Sequence, residues 1–319
     1  MNKILRPCGK ITDNIIIASF FSLLLAVFGA LITQIAFKLT HFDERMEVIM
    51  HSDNLAAFLT DYAIFLGIWV VCLIIVIIFK ANRPMLKAFG RNRSGNNLKG
   101  ILAGILLGFG TNGFCVLMSL LMGDIKLSYN GIDPKILLLF LVAVFIQSGG
   151  EEITDRFYLY QKLRRRYRSP LVAILVNSIV FMAMHIMNPG FTVIAGSQIL
   201  LIGIIFSLLV YYYNSLWAAM WFHAAWNYTQ NIIFGLPNSG IVSEYSIFKL
   251  EAASATNGLF YDVKFGVEGS IGSSIVLLII LIAILIINRK KPESRDCWKE
   301  SEEAAAAILA EAPPKHAAS

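Results

Sequence analysis

The amino-acid sequence predicts an all-α, polytopic transmembrane bundle of about eight spans. Three observations support this prediction: 57% of the residues are hydrophobic, only 15% are charged, and the mean hydropathy is +0.66. Soluble domains carry about 25% charged residues, so this chain has too few charges to cover a surface that faces water. The same composition excludes disordered, collagen-like and disulfide-scaffold proteins.

Eight apolar segments are predicted to form the spans, because about 20 apolar residues cross a bilayer. They are 14–37, 55–79, 100–123, a segment that begins near residue 136, 170–187, 193–213, 216–235 and 270–287. From Ser169 to Ser243 the chain carries no Asp, Glu, Lys or Arg. Turn-forming residues at 188–190 and 214–215 divide this stretch into three spans.

The distribution of positive charge predicts that both termini lie in the cytoplasm. Of the 27 Lys and Arg residues, 21 fall in 1–13, 80–99, 151–168 and 289–319, and six fall in the loops on the opposite side. Positive residues concentrate in cytoplasmic loops, so the net charge of +6 is interpreted as a topology signal and no nucleic-acid partner is expected. We expect an integral, multi-pass protein of a prokaryotic cell membrane.

Two adjacent acids, Glu151 and Glu152, interrupt the fourth apolar segment. An acid at the centre of a membrane helix costs about 2.5–3.5 kcal/mol, so a compensating partner is expected. Arg156 follows Glu152 at i+4 on the same helix face, whereas Glu151 is rotated by about 100°. We therefore expect Glu152 to pair with Arg156 and Glu151 to stay available for chemistry. The alternative is that both acids form an ion-pair network at a cytoplasmic helix end.

Glu151 and His185 are predicted to lie at a common depth. Counted from the basic cluster at 164–166 and from the start of the next span, they lie about 20 Å and about 22 Å along adjacent antiparallel helices. His185 follows Phe181 at i+4, so both side chains face the same way. A carboxylate and an imidazole at one depth can share a cavity.

A second imidazole, His223, precedes Asn227 at i+4, so the two side chains can present donors to one point. His223 lies only about 14 Å from the start of its span, so it reaches the same cavity only if that helix tilts or its preceding turn is tucked in. Alone, such a pair is more often a hydrogen-bonding contact between membrane helices. The acids, the two imidazoles and the amide together predict a shared polar site.

The three motifs, in this order and with these gaps, resemble those of a known family. The resembling segments are Glu151-Glu152-Ile-Thr-Asp-Arg156 (EExxxR), Phe181-Met-Ala-Met-His185 (FxxxH) and His223-Ala-Ala-Trp-Asn227 (HxxxN). The family is the CPBP family of intramembrane proteases, with its type II CAAX prenyl endopeptidases and its bacteriocin-processing and self-immunity (Abi) members. The resemblance implies a transmembrane protease domain over 1–290, with its motif-bearing core at 135–235 and a polar cytoplasmic tail at 291–319.

The resemblance implies hydrolysis of a peptide bond at or within the membrane, in a cavity open to the cytosol. Glu151 with His185 is the candidate pair that activates water, and His223 with Asn227 is the candidate oxyanion hole. The supporting residues are then Glu152, Arg156 and Phe181. Arg156 alternatively contacts a carboxyl terminus of the substrate.

No cofactor is expected, with Zn²⁺ bound by Glu151, His185 and His223 as the alternative, because one Glu and two His form a reasonable zinc shell. The expected partners are the lipid bilayer and a membrane-associated protein or peptide substrate, which is CAAX-type or resembles a bacteriocin or pheromone. Two other functions stay open: a catalytically silent immunity or scaffold protein, and a transporter. The absence of visible internal repeats argues against the transporter.

Overall fold

The computed structural model describes residues 4–131, 133–243, 245–290 and 296–311. Helices fill most of these ranges. In chain order they are α1 (Ile15–Leu39), α2 (Phe42–Met50), α3 (Asp53–Ala63), α4 (Leu66–Ile78), α5 (Leu86–Phe89), α6 (Leu98–Met122), α7 (Pro134–Glu152), α8 (Tyr160–Arg166), α9 (Pro170–Met184), α10 (Val193–Tyr213), α11 (Leu216–Asn227), α12 (Ile271–Asn288) and α13 (Lys299–Glu311). Two π-helical segments, π1 (Ile153–Leu159) and π2 (Tyr228–Ile233), continue α7 and α11.

Side chains cap the first turn of most long helices. The capping residues, each of which accepts a hydrogen bond from a backbone N–H of its own helix, are Asn14, Asn97, Asp133, Thr192, Ser215 and Ser270. Such caps satisfy N–H groups that have no partner within the helix. They explain why the apolar runs begin new helices where they do, and proline at the first position of α7 and α9 acts in the same way.

The prediction of an all-α, polytopic membrane bundle is confirmed. Six helices in the described ranges are long and apolar enough to cross a membrane: Ile15–Leu39, Asn54–Ile78, Leu98–Met122, Pro134–Arg166, Val193–Tyr213 and Ile271–Asn288. The other two predicted spans are also helical, but neither is among these six helices. The helix α9 has 15 residues, and α11 has 12 residues and is continued by the six residues of π2. The number of eight spans and the inward orientation of both termini stay predictions.

Among the six candidate spans in the described ranges, α10 is the most enclosed. Over an apolar stretch of 18 residues, 67% of α10 is buried inside the protein, against 22% of the corresponding stretch of α1. It packs between α9 and α12, while α11 packs against α6 and α7, and α1 packs against α4 and π1. Large apolar side chains on the outer helices are exposed, as on a surface that faces lipid; Leu106 is 71% and Ile279 is 61% exposed. The motif-bearing helices α9 and α11 both pack against α10, and α11 also packs against α7, so the polar motifs lie inside the bundle.

A short antiparallel pair of strands lies outside the bundle. Leu127–Tyr129 (β1) pairs with Phe248–Leu250 (β2), in the register Leu127 with Leu250 and Tyr129 with Phe248. This pair joins the segment before α7 to the long segment before α12. It is too short to change the fold class.

The predicted polar tail begins with residues 291–295, which lie outside the described residues, as does 312–319. Where the structure resumes, the indole N–H of Trp298 donates to the backbone oxygen of Gln161 at 2.8 Å, and Trp298 is buried. Arg164 donates to Asp296 at 3.1 Å. Part of the predicted polar tail thus packs against α8, while the boundary at residue 290 stays a prediction.

Candidate active site

Three helices bring the motifs together. Glu151 and Glu152 end α7, His185 follows the last turn of α9, and His223 lies in the middle of α11. The π-helical segments follow directly after the motif residues of α7 and α11. Such turns are rare and frequently occur at functional sites. His223 lies within 4 Å of both Glu151 and Glu152, although the sequence predicts a smaller depth in the membrane for it.

Glu152 is fully buried and binds two motif residues with one oxygen. Its Oε1 accepts from Arg156 Nη1 at 3.1 Å and from His223 Nδ1 at 3.0 Å. The pairing with Arg156 that the i, i+4 spacing predicts is therefore present. Arg156 also donates Nη2 to the backbone oxygen of Gly203 at 3.0 Å, and its guanidinium lies 4.5 Å from the ring centroid of Phe181. Because Arg156 is fully buried and both terminal nitrogens are engaged, its contact with a substrate carboxyl terminus is not supported.

Glu151 keeps one oxygen available. Its Oε1 accepts from Gln147 Nε2. In the part of the chain that the structure describes, its Oε2 has no hydrogen-bond partner. That oxygen lies 3.9 Å from Nε2 of His185 and 3.8 Å from Nε2 of His223, too far for direct hydrogen bonds. Glu151 thus presents a carboxylate oxygen to two imidazoles without binding either.

The partners of both imidazoles determine which ring nitrogen carries hydrogen in the neutral form. His185 Nδ1 lies 2.8 Å from the backbone oxygen of Phe181, and His223 Nδ1 contacts Glu152. A carbonyl oxygen and an ionised carboxylate only accept, so each Nδ1 is assigned the hydrogen. Each neutral Nε2 then carries a lone pair toward Glu151. The Phe181 ring packs edge-on against both imidazoles, with centroid distances of 4.8 and 5.8 Å.

Asn227 is linked to Glu151 through Gln147. Its Nδ2 donates to Gln147 Oε1 at 3.2 Å and to Ser148 Oγ at 3.1 Å. Sequence reasoning places Gln147 in an apolar run and misses it, although it precedes Glu151 by four residues on the same helix face. That spacing is the signal that could have found it.

Five residues of the candidate site line a cavity of about 450 Å³: Gln147, Glu151, His185, His223 and Asn227. This volume is within the range of about 300–1,000 Å³ that ligand pockets occupy. Phe58 and Ile199 are among its apolar walls, and three carboxylates line it, those of Asp61, Glu151 and Glu268. No Lys or Arg is among the described residues that line it. A substrate in this cavity meets apolar side chains and carboxylates.

Glu268 and Asn238 also lie outside the three motifs. Glu268, in the turn before α12, is only 6% exposed and accepts from Asn238 Nδ2 and from Trp226 Nε1, both at 3.0 Å. Burial raises the pKa of Glu268, and the hydrogen bonds from Ser239 and Trp226 act in the opposite direction. No local pattern identifies either residue, because both lie in a segment that the sequence predicts as an outer loop.

The cavity lies toward one end of the bundle. Its wall includes Asn188, after α9, and Asn238, Ser239 and Ile241, after π2. These connections are the ones that the charge distribution assigns to the outer side. An inward N-terminus and a cavity open to the cytosol are therefore difficult to reconcile, and the side from which substrate enters stays a prediction.

A zinc site built from Glu151, His185 and His223 is the alternative from the sequence. Tetrahedral bonds of about 2.0 Å place neighbouring ligand atoms about 3.3 Å apart, shorter than the 3.8 and 3.9 Å between Glu151 Oε2 and the two imidazoles. Among the described residues, no group of three or more His, Cys, Asp or Glu side chains is placed to hold a metal ion. The arrangement does not fit a preformed metal shell.

Comparison with known proteins gives one match, to a protein-family model that covers residues 133–229. No curated protein and no solved structure matches the chain. The resemblance that the three motifs predict is nevertheless confirmed for the segment that contains them. With the six apolar helices, that likeness indicates an integral membrane protein, and it supports intramembrane endopeptidase activity in general. Residues 133–229 match the model of the family described as Type II CAAX prenyl endopeptidase Rce1-like, a family of proteases.

Proposed function

We propose that this protein is an intramembrane glutamate-type endopeptidase that hydrolyses a peptide bond of a membrane-associated protein or peptide. The observation that carries the proposal is the oxygen Glu151 Oε2. It is buried, lacks a hydrogen-bond partner among the described residues, and faces Nε2 of His185 and of His223 at 3.9 and 3.8 Å, on a residue that lines the cavity. A general base needs such an available acceptor beside the bound water.

Glu151 and His185 together suit the activation of water. Oε2 of Glu151 and the neutral Nε2 of His185 both accept, so a water between them donates one hydrogen to each. The water oxygen attacks the carbonyl carbon of the scissile bond while one of its protons passes to Glu151. The same proton then goes to the nitrogen of the departing amine as the carbon–nitrogen bond breaks. The products are one carboxylic acid and one amine, so no further reactant is needed.

His223 and Asn227 are placed to bind the developing oxyanion. His223 Nδ1 donates to Glu152, so its Nε2 donates only when the ring is protonated. In that form Nδ1 of His223 still donates to the carboxylate of Glu152, and Nε2 donates to the oxyanion. Asn227 would exchange its bond to Ser148 for a bond to the oxyanion. One such donor contributes about 10²–10³-fold in rate.

The cavity supports a substrate cut away from a free carboxyl terminus. A CAAX motif ends at the C-terminus, so the bond that is cut lies near a carboxylate. No described lining residue is Lys or Arg, and Arg156 is fully buried and does not line the cavity. A bacteriocin- or pheromone-like peptide cut at an internal bond therefore fits better than a CAAX-type protein. The prokaryotic cell membrane is the proposed location.

The test is hydrolysis of membrane-associated peptides by the purified protein in lipid nanodiscs. We expect Glu151→Gln and His185→Ala each to lower kcat by about 10²–10⁴-fold, without loss of expression or insertion. Glu251→Gln, at an exposed carboxyl remote from the motifs, is the control and keeps the wild-type rate. Wild-type kcat in Glu151→Gln would remove Glu151 as the base. A wild-type protein that cuts none of the peptides would favour the silent immunity or scaffold function.

Two further measurements decide the finer assignments. Inhibition by 1,10-phenanthroline that added Zn²⁺ reverses would replace the metal-free mechanism by the zinc alternative. Matched peptides that end in a carboxylate or in an amide near the scissile bond test the substrate class. We expect faster cleavage of the amide form, and a clear preference for the carboxylate would favour a CAAX-type substrate.

A further inference from the structure

Glu268 binds its neighbours as an acceptor only. Its Oε1 accepts from Asn238 Nδ2 and from Trp226 Nε1, and its Oε2 accepts from Ser239 N at 2.6 Å and from Ser239 Oγ at 2.9 Å. Four donors occupy the acceptor positions of one carboxylate. Asn238 must therefore turn its NH₂ group, and not its oxygen, toward Glu268.

Three amides continue from this carboxylate to the candidate base. The second hydrogen of Asn238 Nδ2 points to Asn227 Oδ1 at 3.2 Å. Asn227 Nδ2 donates to Gln147 Oε1 at 3.2 Å, and Gln147 Nε2 donates to Glu151 Oε1. Asn238 thus donates to both of its neighbours, whereas Asn227 and Gln147 each accept from the amide before them and donate toward Glu151.

The direction of these hydrogen bonds is fixed at both ends. An amide that rotates by 180° exchanges its oxygen and nitrogen, which places two oxygens or two N–H groups against each other. Because both terminal carboxylates only accept, one orientation of the three amides satisfies every contact. The sequence alone leaves each of these amides free to adopt either orientation.

We propose that Glu268 and Asn238 are positioning residues that orient the amides of Asn227 and Gln147, so that Gln147 holds Glu151 Oε1 and leaves Oε2 for water. The proposal rests on the proposed hydrolytic function. It extends the site to residues beyond the segment that matches the family model, 133–229. Neither Glu268 nor Asn238 touches the reacting atoms in this scheme.

The first test compares kcat with KM in the full-length protein. Glu268→Gln keeps the shape of the side chain but brings an NH₂ group against the donors of Ser239 or Asn238. We expect kcat to fall by about 10–100-fold, because a displacement of about 1 Å costs on the order of 10²-fold, while KM stays within about threefold. Glu251→Gln, the same change at an exposed carboxyl, keeps the wild-type kcat.

A double variant separates positioning from a merely structural contact. Glu268→Gln combined with Asn238→Asp restores a hydrogen bond between the two positions with donor and acceptor exchanged. The new carboxylate at position 238 has no N–H for Asn227 Oδ1. Positioning predicts that thermal stability recovers relative to Glu268→Gln while kcat stays low. Recovery of kcat together with stability would overturn the proposal.

NMR of the side-chain amides tests this proposal without measuring catalysis, so its outcome is independent of the proposed function. The side-chain NH₂ resonances of ¹⁵N-labelled Asn and Gln report the hydrogen bonds of Gln147 and Asn227, and Gln147→Glu and Asn227→Asp assign them. We expect Glu268→Gln to shift both pairs and Glu251→Gln to shift neither. Unchanged resonances of Gln147 and Asn227 in Glu268→Gln overturn the positioning role, even if wild-type protein hydrolyses peptides. A shift in a protein that hydrolyses nothing supports the amide arrangement and rejects only the proteolytic function.

Discussion

At the scale of single residues, two adjacent acids have different surroundings. Glu152 has no exposed surface and is shared by a guanidinium and an imidazole, whereas Glu151 is 14% exposed and, among the described residues, its carboxylate is hydrogen-bonded only by the amide of Gln147. One residue of helix rotation separates the two environments. A charge that compensates a buried cation contributes to stability, whereas a carboxylate beside a neutral amide contributes little. The pair therefore divides a stabilising role from the proposed chemical role.

This difference predicts opposite effects on stability. Glu152→Ala leaves Arg156 buried without its counter-charge, and loss of one partner of a buried pair costs about 3–5 kcal/mol. Glu151→Ala removes no ionic partner and is expected to change the free energy of unfolding by less than about 1 kcal/mol. Thermal unfolding in one detergent measures both. Equal midpoints for the two variants would contradict the assignment of Glu152 as the counter-charge of Arg156.

At the scale of the elements, α11 carries half of the site and is held very close to α6. A Cβ on Gly108 would overlap the backbone oxygen of Phe222 and lie 2.9 Å from the backbone nitrogen of Trp226. Small residues allow membrane helices to approach in this way. On the same helix, Gly110 has no neighbour within 4 Å of its Cβ position among the described residues. The two glycines thus offer one substitution in two environments.

We expect Gly108→Ala to push α11 away from α6 and to lower both the unfolding midpoint and kcat. Overpacking of a close contact typically costs about 1–3 kcal/mol, and the shift reaches His223 and Asn227 on the same helix. Gly110→Ala is expected to be neutral or to stabilise by up to about 1 kcal/mol, since alanine favours helix. Unfolding and peptide hydrolysis measured side by side test this. An equal response of the two variants would show that the close approach does not position α11.

The elements also show what could be predicted from the sequence. Apolar runs and i, i+4 pairs are local patterns, so six of the spans, the pairing of Glu152 with Arg156 and the meeting of three motifs could be predicted. Gln147 had a local signal. Asn238 and Glu268 had none, because their place depends on contacts between segments far apart in the chain. The π-helical segments that follow the motifs also depend on packing and have no sequence signal here.

At the scale of the whole molecule, the cluster of basic side chains and the cavity lie at opposite ends of the bundle. Arg165, at the end of α8, binds Asp13 before α1, and Arg164 binds Asp296 after α12. These basic side chains gather both termini at one end. The cavity wall includes Ile241, in a connection at the other end. If positive residues face the cytoplasm, the cavity is nearer to the outer surface, contrary to the cavity open to the cytosol that the family resemblance implies.

Cysteine labelling in intact cells decides between these two orientations. Ile241 is 57% exposed and Lys10 is exposed at the opposite end. We expect Ile241→Cys to react with a membrane-impermeant maleimide without permeabilisation, and Lys10→Cys to react only after it, because the count of Lys and Arg favours an inward N-terminus. The unmodified chain is the control: three of its four cysteines are buried, and the fourth, Cys8, lies near Lys10 and should stay unlabelled from outside. Labelling of Lys10→Cys alone in intact cells would invert the orientation and turn the hydrolytic cavity toward the cytosol.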